Sequence, residues 1–177
     1  MACSNYFPAQ TITQTVDDPT WDVEWHIGKK MYTLKDVYHH VNTSSGAIRN
    51  KTNYIHFKNF NIDDTVPNVI TGIQLILKTR RNGRVFDELV AISQGEQIIS
   101  DNKTSYIASG DGYDHLKLHD TTIYGGEGDL WGLETFATRG LVSDPTFGVT
   151  LRFQGHPMYP HTSGMQVESV QLCFFGE

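Results

Sequence analysis

The sequence predicts an all-β fold, a single-domain two-sheet β-sandwich of jelly-roll or Greek-key type. Three observations predict it. Apolar and polar residues alternate one by one through most patterned segments, Gly, Asn, Asp and Thr punctuate those segments at fairly even spacing, and no stretch carries a convincing helical stripe. At 177 residues one domain is expected, able to bury roughly 70% of the surface its unfolded chain exposes. Residues 1–14 are expected as an N-terminal arm or edge strand, and residues 15–177 as the sandwich domain.

Taken in order, Thr11, Ile12, Thr13, Gln14, Thr15 and Val16 alternate as an edge strand or an arm laid on another chain, and Asp17, Asp18 and Pro19 end it. Trp21, Val23 and Trp25 then share one strand face, with Asp22, Glu24 and His26 on the other. Residues 31–41 carry conflicting signals. Thr33 with Asp36 imitates a capping box, yet Val37, His39 and Val41 alternate and β-branched and aromatic residues crowd the stretch, which favours a strand. Residues 43–51 read as a loop. Residues 54–60 read as a strand with faces Ile55/Phe57 and Tyr54/His56/Lys58, closed by a turn at Asp63-Asp64-Thr65.

The longest β signal spans residues 69–80, with Ile73, Leu75 and Leu77 on one face. Arg81-Asn82-Gly83-Arg84 contains the Asn-Gly pair of a type I′ turn, which predicts that residues 85–93 return antiparallel beside it. A short strand at 97–100 and a long polar loop at 101–120 follow. Glycines 125, 126 and 128 predict a tight, irregular loop that presents Asp129, whose carboxylate caps backbone N–H groups, and inserts Trp131 as a core plug. Val149, Leu151 and Phe153 alternate as a half-buried strand. In the last strand, residues 166–174, Val170, Leu172 and Phe174 share one face while Val167 and Cys173 occupy the other.

Composition excludes several functions. The net charge of −6 comes without a basic stripe, so nucleic acid and anionic membranes are not expected partners. No apolar run approaches the roughly 20 residues of a membrane helix, and no secretion signal is apparent. Cys3 and Cys173 form no metal-ligand spacing and read as free thiols of a reducing cytosol. His115 and His119 have helical ligand spacing but sit in a Gly/Asp-rich loop, and His156 and His161 flank two prolines, so no zinc site is expected. Asp17, Asp18, Asp111, Asp114 and Asp120 could offer oxygens to calcium, although carboxylates in such loops are mostly turn formers. Gly125-Gly126-Glu127-Gly128 matches a phosphate loop only in part, since no helix is read after it. No nucleophile elbow or isolated carboxylate pair is present, so the sequence predicts no catalytic residues, no cofactor and no metal.

One set of motifs carries a resemblance. Val16-Asp17-Asp18, Trp25, Phe57-Lys58-Asn59-Phe60, Ile70-Thr71-Gly72-Ile73 leading into Arg80-Arg81, Gly126 with Asp129-Leu130-Trp131-Gly132, Pro145-Thr146-Phe147-Gly148-Val149 and the closing Val-rich strand together resemble a jelly-roll-like module of tailed-bacteriophage virion structural proteins. The likeness runs over residues 15–175. It departs at His26-Ile27-Gly28, where an Asn-Pro turn would be expected, and in the N-terminal arm. The resemblance implies a non-enzymatic head-decoration, tail or fibre component, assembled in the host cytoplasm into the virion, whose partners are other copies of itself and other virion proteins. The alternative is a carbohydrate- or host-receptor-binding module in which Trp21, Tyr113 or Tyr159 stacks on sugar rings.

Overall fold

The computed structural model describes residues 3–17, 22–23, 26–27, 34–35, 37–38, 51–82, 85–104, 120–133, 137–155 and 164–177. Its strands are β1 (Phe7–Pro8), β2 (Thr11–Thr15), β3 (Asp22–Val23), β4 (His26–Ile27), β5 (Leu34–Lys35), β6 (Val37–Tyr38), β7 (Lys51–Thr52), β8 (Tyr54–Lys58), β9 (Ile70–Asn82), β10 (Val85–Gln94), β11 (Gln97–Ile98), β12 (Asp120–Gly126), β13 (Phe147–Gly155) and β14 (Gly164–Gly176). One helical turn, α1 (Arg139–Val142), is capped by the Thr138 side chain, which accepts from the Leu141 N–H.

Two sheets form the sandwich. The first runs β1-β14-β9-β12, and β6 also pairs with β14. In the second, β13 lies between β10 and β8; β11 extends it past β10, β2 extends it past β8, and β7 and β3 continue the β8 side. Alternation along each long strand decides what lies between them. Ile73, Leu75 and Leu77 of β9 and Val170, Leu172 and Phe174 of β14 are buried against Val90 and Ile92 of β10, Ile55 and Phe57 of β8, and Val149, Leu151 and Phe153 of β13. Burying such side chains contributes about 1.5–3 kcal/mol apiece, the main term holding the layers together.

β9 and β10 do not make the expected hairpin: β9 pairs with β12 and β14 in the first sheet, whereas β10 pairs with β11 and β13 in the second, so the two strands lie in different sheets. The sequence cue was local and the reason is not. An Asn-Gly pair favours a tight turn, but the sheet in which the next strand pairs is set by its ladder partners, which for β10 are β11 and β13. Two other expectations change. Residues 120–123 continue the chain into β12, whose paired register from Asp120↔Thr79 to Gly126↔Ile73 includes two of the glycines read as loop. Val167 joins the core because a register shift between Val167 and Ser169 brings it opposite Thr79, onto the face of Val170. Residues 34–35 and 37–38 are strand, as expected for this stretch.

Residues 3–15 close one side of the sandwich by changing sheets. β1 pairs with β14, Ala9 donates to Val170 O at 3.3 Å, and the next residue, Gln10, donates to Lys58 O at 3.1 Å before β2 pairs with β8. The stretch is therefore laid on the edges of this chain's own two sheets. The same antiparallel course brings Cys3 beside Cys173, with Cα atoms 6.0 Å apart and the two sulfurs bonded. The free-thiol expectation is thus overturned, because residues 170 positions apart in sequence are neighbours in the fold. Replacing both cysteines by serine is expected to lower stability by about 2–4 kcal/mol through release of the unfolded chain. Urea unfolding with and without reductant checks it, and a midpoint that reductant leaves in place would refute it.

Trp131 is fully buried, and its indole N–H donates to Ile73 O at 2.9 Å. Its backbone stands at φ +56°, a left-handed conformation uncommon outside glycine, and is held there by Asp129, whose Oδ1 accepts the Trp131 N–H at 2.9 Å. The same oxygen pairs with Lys103 at 2.8 Å, and that ammonium also lies 5.9 Å from the centre of the indole. Gly125 is required beside it. At φ +69°, a Cβ there would lie 2.2 Å from Ile73 O and 2.4 Å from Trp131 Nε1, in the space the hydrogen bond occupies.

Candidate functional site

The outward face of the second sheet carries the most developed cluster of polar side chains among the described residues. It follows from register. β2 sets Thr15 opposite Tyr54 and Thr13 opposite His56, and β13 sets Thr150 opposite His56. Because partners directly opposite share a face, Thr15, Tyr54, His56 and Thr150 project to the same side, away from Ile55, Phe57, Val149 and Leu151. Gly95, at φ +64°, turns β10 into β11 and brings Glu96 and Ile98 to the same place.

These residues, with Val16 and Asp17, line a cleft of about 290 Å³. Its floor is built from buried polar groups. His56 is 2% exposed and Thr150 is 0% exposed, so each needs its partners inside the protein. The imidazole Nε2 is hydrogen-bonded to Thr15 Oγ1 at 2.8 Å and Nδ1 to Thr150 Oγ1 at 2.7 Å, the neutral ring donating through one nitrogen and accepting through the other. Burial holds the His56 pKa below 6.5; nearby Glu96 opposes that shift and Lys58 adds to it.

Beside the cleft lies Arg152, 4% exposed despite its charge. Its Nε donates to Thr52 O at 3.0 Å and lies 3.3 Å from Glu88 Oε2, while one terminal nitrogen donates to Asp17 Oδ2 at 3.0 Å and to Tyr54 Oη at 2.9 Å. The guanidinium carbon stands 4.4 Å from the centre of the Tyr54 ring, and Glu88 is paired in turn with Lys51. Arg152 thus fixes two walls of the cleft, Tyr54 and Asp17.

Chemically this is a set of rigid donors and acceptors with no relay for nucleophilic catalysis. Of the two hydroxyls on the imidazole, neither is opposed by a carboxylate on the other ring nitrogen, which instead meets the second threonine. Among the described residues no group of three or more His, Cys, Asp or Glu could hold a metal ion. Asp17, considered as an oxygen ligand, is bonded to Arg152. Gly128 leads through a turn to Trp131, not into a helix that could hold a phosphate.

Trp21, Tyr113 and Tyr159, the aromatics expected to stack on sugars, lie outside the described residues. So do His115, His119, His156, His161, Asp18, Asp111 and Asp114. The cleft itself was missed in the sequence. His56, Thr150 and Arg152 were legible as the polar face of alternating strands, but nothing local distinguishes a solvated polar face from a covered one. In comparisons with known proteins, no family model, curated protein or solved structure matches this chain. No helix among the described residues is long and apolar enough to cross a membrane.

The depressed His56 pKa makes a prediction. Its folded value lies below the ordinary 6.5, so between that lower value and about pH 6.5 the unfolded chain binds the extra proton and the folded chain does not. Stability contributed by neutral His56 is therefore complete above about pH 6.5 and falls as pH drops through this window. Urea unfolding of wild type and His56→Gln from pH 7.5 to 5 should show a steeper loss in wild type. Parallel curves would exclude the imidazole as the cause.

Proposed function

We propose that the protein is a non-enzymatic structural component of a tailed-bacteriophage virion, a head-decoration, tail or fibre protein whose partners are other copies of itself and other virion proteins. The motifs carrying the resemblance, above all Asp129-Leu130-Trp131-Gly132 and Phe147-Gly148-Val149, serve packing in this fold. Trp131 locks a loop onto β9, and Gly148 lets β13 approach β8, since a Cβ there would lie 2.1 Å from Phe57 O. A scaffold of this kind acts through its surface.

The observation that carries the reading is the edge of β12. Among the described residues β12 has one strand partner, β9, with a further bridge from Gly126 to Asp129, and Thr121 and Ile123 on its outward face are exposed, Ile123 by 55%. No Lys or Pro guards the strand from Thr121 to Gly126, although free edges are ordinarily protected against pairing. Pairing with another chain along this edge would cover Ile123. Light scattering over a range of concentrations tests this. Self-association that Ile123→Lys weakens at unchanged melting temperature is expected, and a wild-type chain that stays monomeric and is missing from purified particles would end the proposal.

A further inference from the structure

We propose that the cleft bounded by Thr15, Asp17, Tyr54, His56, Glu96 and Thr150 is a binding site for a neutral polyhydroxylated ligand, a single pyranose ring or the terminal residue of a glycan. This goes beyond the structural role above and does not depend on it.

Size, rigidity and charge each narrow the ligand. About 290 Å³ lies at the low end of small-molecule sites and suits one sugar ring rather than a chain or a nucleotide. The polar groups are held before any ligand arrives: His56 between two threonines, and Tyr54 and Asp17 by the buried Arg152. Groups fixed in this way lose little entropy on binding, which matters most for a small, weakly held ligand. Of the residues that line the cleft only Asp17 and Glu96 carry charge, and Asp17 is paired with Arg152, so the lining offers no cation to hold a phosphate.

What remains available suits hydroxyl groups. Glu96 is exposed and makes no hydrogen bond or ion pair among the described residues, and Asp17 turns one carboxylate oxygen to Arg152, leaving Oδ1 as an acceptor. The Thr15 hydroxyl, half-buried at the mouth, keeps hydrogen-bonding capacity beyond the imidazole, whereas Thr150 is fully buried and serves to hold the ring. Val16 and Ile98, 52% and 40% exposed, add apolar surface at the rim for the C–H face of a ring. Carboxylate and hydroxyl acceptors beside an apolar rim match a sugar, which presents hydroxyls around its edge and C–H groups on its faces.

Saturation-transfer NMR suits the full chain in whatever assembly it forms. Glucose, galactose, mannose and N-acetylglucosamine would be titrated beside ethanolamine and inorganic phosphate. At least one sugar is expected to bind saturably, with Kd on the order of millimolar. Glu96→Ala should weaken that binding about tenfold, the effect of losing a hydrogen bond to a charged group. Ile98→Arg, which places a bulky cation at the rim of a surface position, should abolish it without shifting the melting temperature. The proposal is overturned if none of the sugars binds by 100 mM (roughly a hundredfold above that Kd), if ethanolamine or phosphate competes with the sugar, or if binding survives both variants. Self-association is read separately by light scattering, so failure here leaves the structural role standing, and the converse also holds.

Discussion

Trp131→Ala is expected to destabilise the protein by about 3–5 kcal/mol. Three losses coincide at that position. The side chain is fully buried among Ile73, Leu133 and the rest of the core, so its removal forfeits transfer free energy and leaves a cavity. The indole N–H no longer satisfies Ile73 O, and an unpaired buried carbonyl costs about 1–3 kcal/mol in its own right. The third loss is the anchor of a strained loop: Trp131 sits at φ +56°, which Ala tolerates no better, and Lys103 loses the ring it stands over. Against a typical stability of 5–15 kcal/mol such a change approaches global unfolding. Thermal and urea unfolding of the variant beside wild type check it. A protein that melts within a degree or two of wild type would show that the indole is not a structural plug. Asp129→Ala, which removes the acceptor for the Trp131 N–H and the partner of Lys103, should lose less, about 1–2 kcal/mol.

Trp131 also shows where the sequence was informative. A tryptophan between two leucines after a run of glycines has few uses besides packing, and both its burial and the cap from Asp129 followed from residue chemistry within a few positions. The alternating strands around Leu75, Phe57 and Leu151 were legible for the same reason, since two-residue periodicity reports directly on which face is buried. What could not be read was anything set by the partner strand. The Asn82-Gly83 pair signals a tight turn but not whether the following strand pairs beside β9 or crosses to the other layer. The face of Val167 depends on a bulge that exists only in register with Thr79. Cys3 and Cys173 meet because the segment ahead of β1 runs beside β14, where Ser4 N donates to Phe174 O, a fact of topology that spacing along the chain cannot carry. The cleft belongs to this second class. Its residues come from β2, β8, β13 and the turn between β10 and β11, and in sequence each looks like the ordinary polar side of a strand.

Arg152→Ala tests whether that polar side is a built site, and it too should cost about 3–5 kcal/mol. An arginine 4% exposed is stable only while its charge is matched and its donors are used, which Glu88, Asp17, Tyr54 and Thr52 O achieve together. Removing it leaves the Glu88 carboxylate, 24% exposed, with Lys51 as its remaining counter-charge and leaves the Thr52 carbonyl without this donor. The Tyr54 ring loses its cation and its hydroxyl partner at the same time. Arg152→Met separates charge from volume. It keeps most of the apolar stem while removing the guanidinium, so if packing alone matters it should recover most of the lost stability, and if the ion network matters it should stay close to Arg152→Ala. The double variant Arg152→Met/Glu88→Gln sharpens the comparison, because neutralising the orphaned carboxylate should restore part of the loss, giving a coupling of about 0.5–3 kcal/mol in a double-mutant cycle. Urea unfolding at pH 7.5, where His56 is neutral, measures wild type, Arg152→Ala, Arg152→Met, Glu88→Gln and the double variant under one protonation state. Additive losses in that cycle would show that Arg152 and Glu88 act independently and that the wall of the cleft is not held by their pairing.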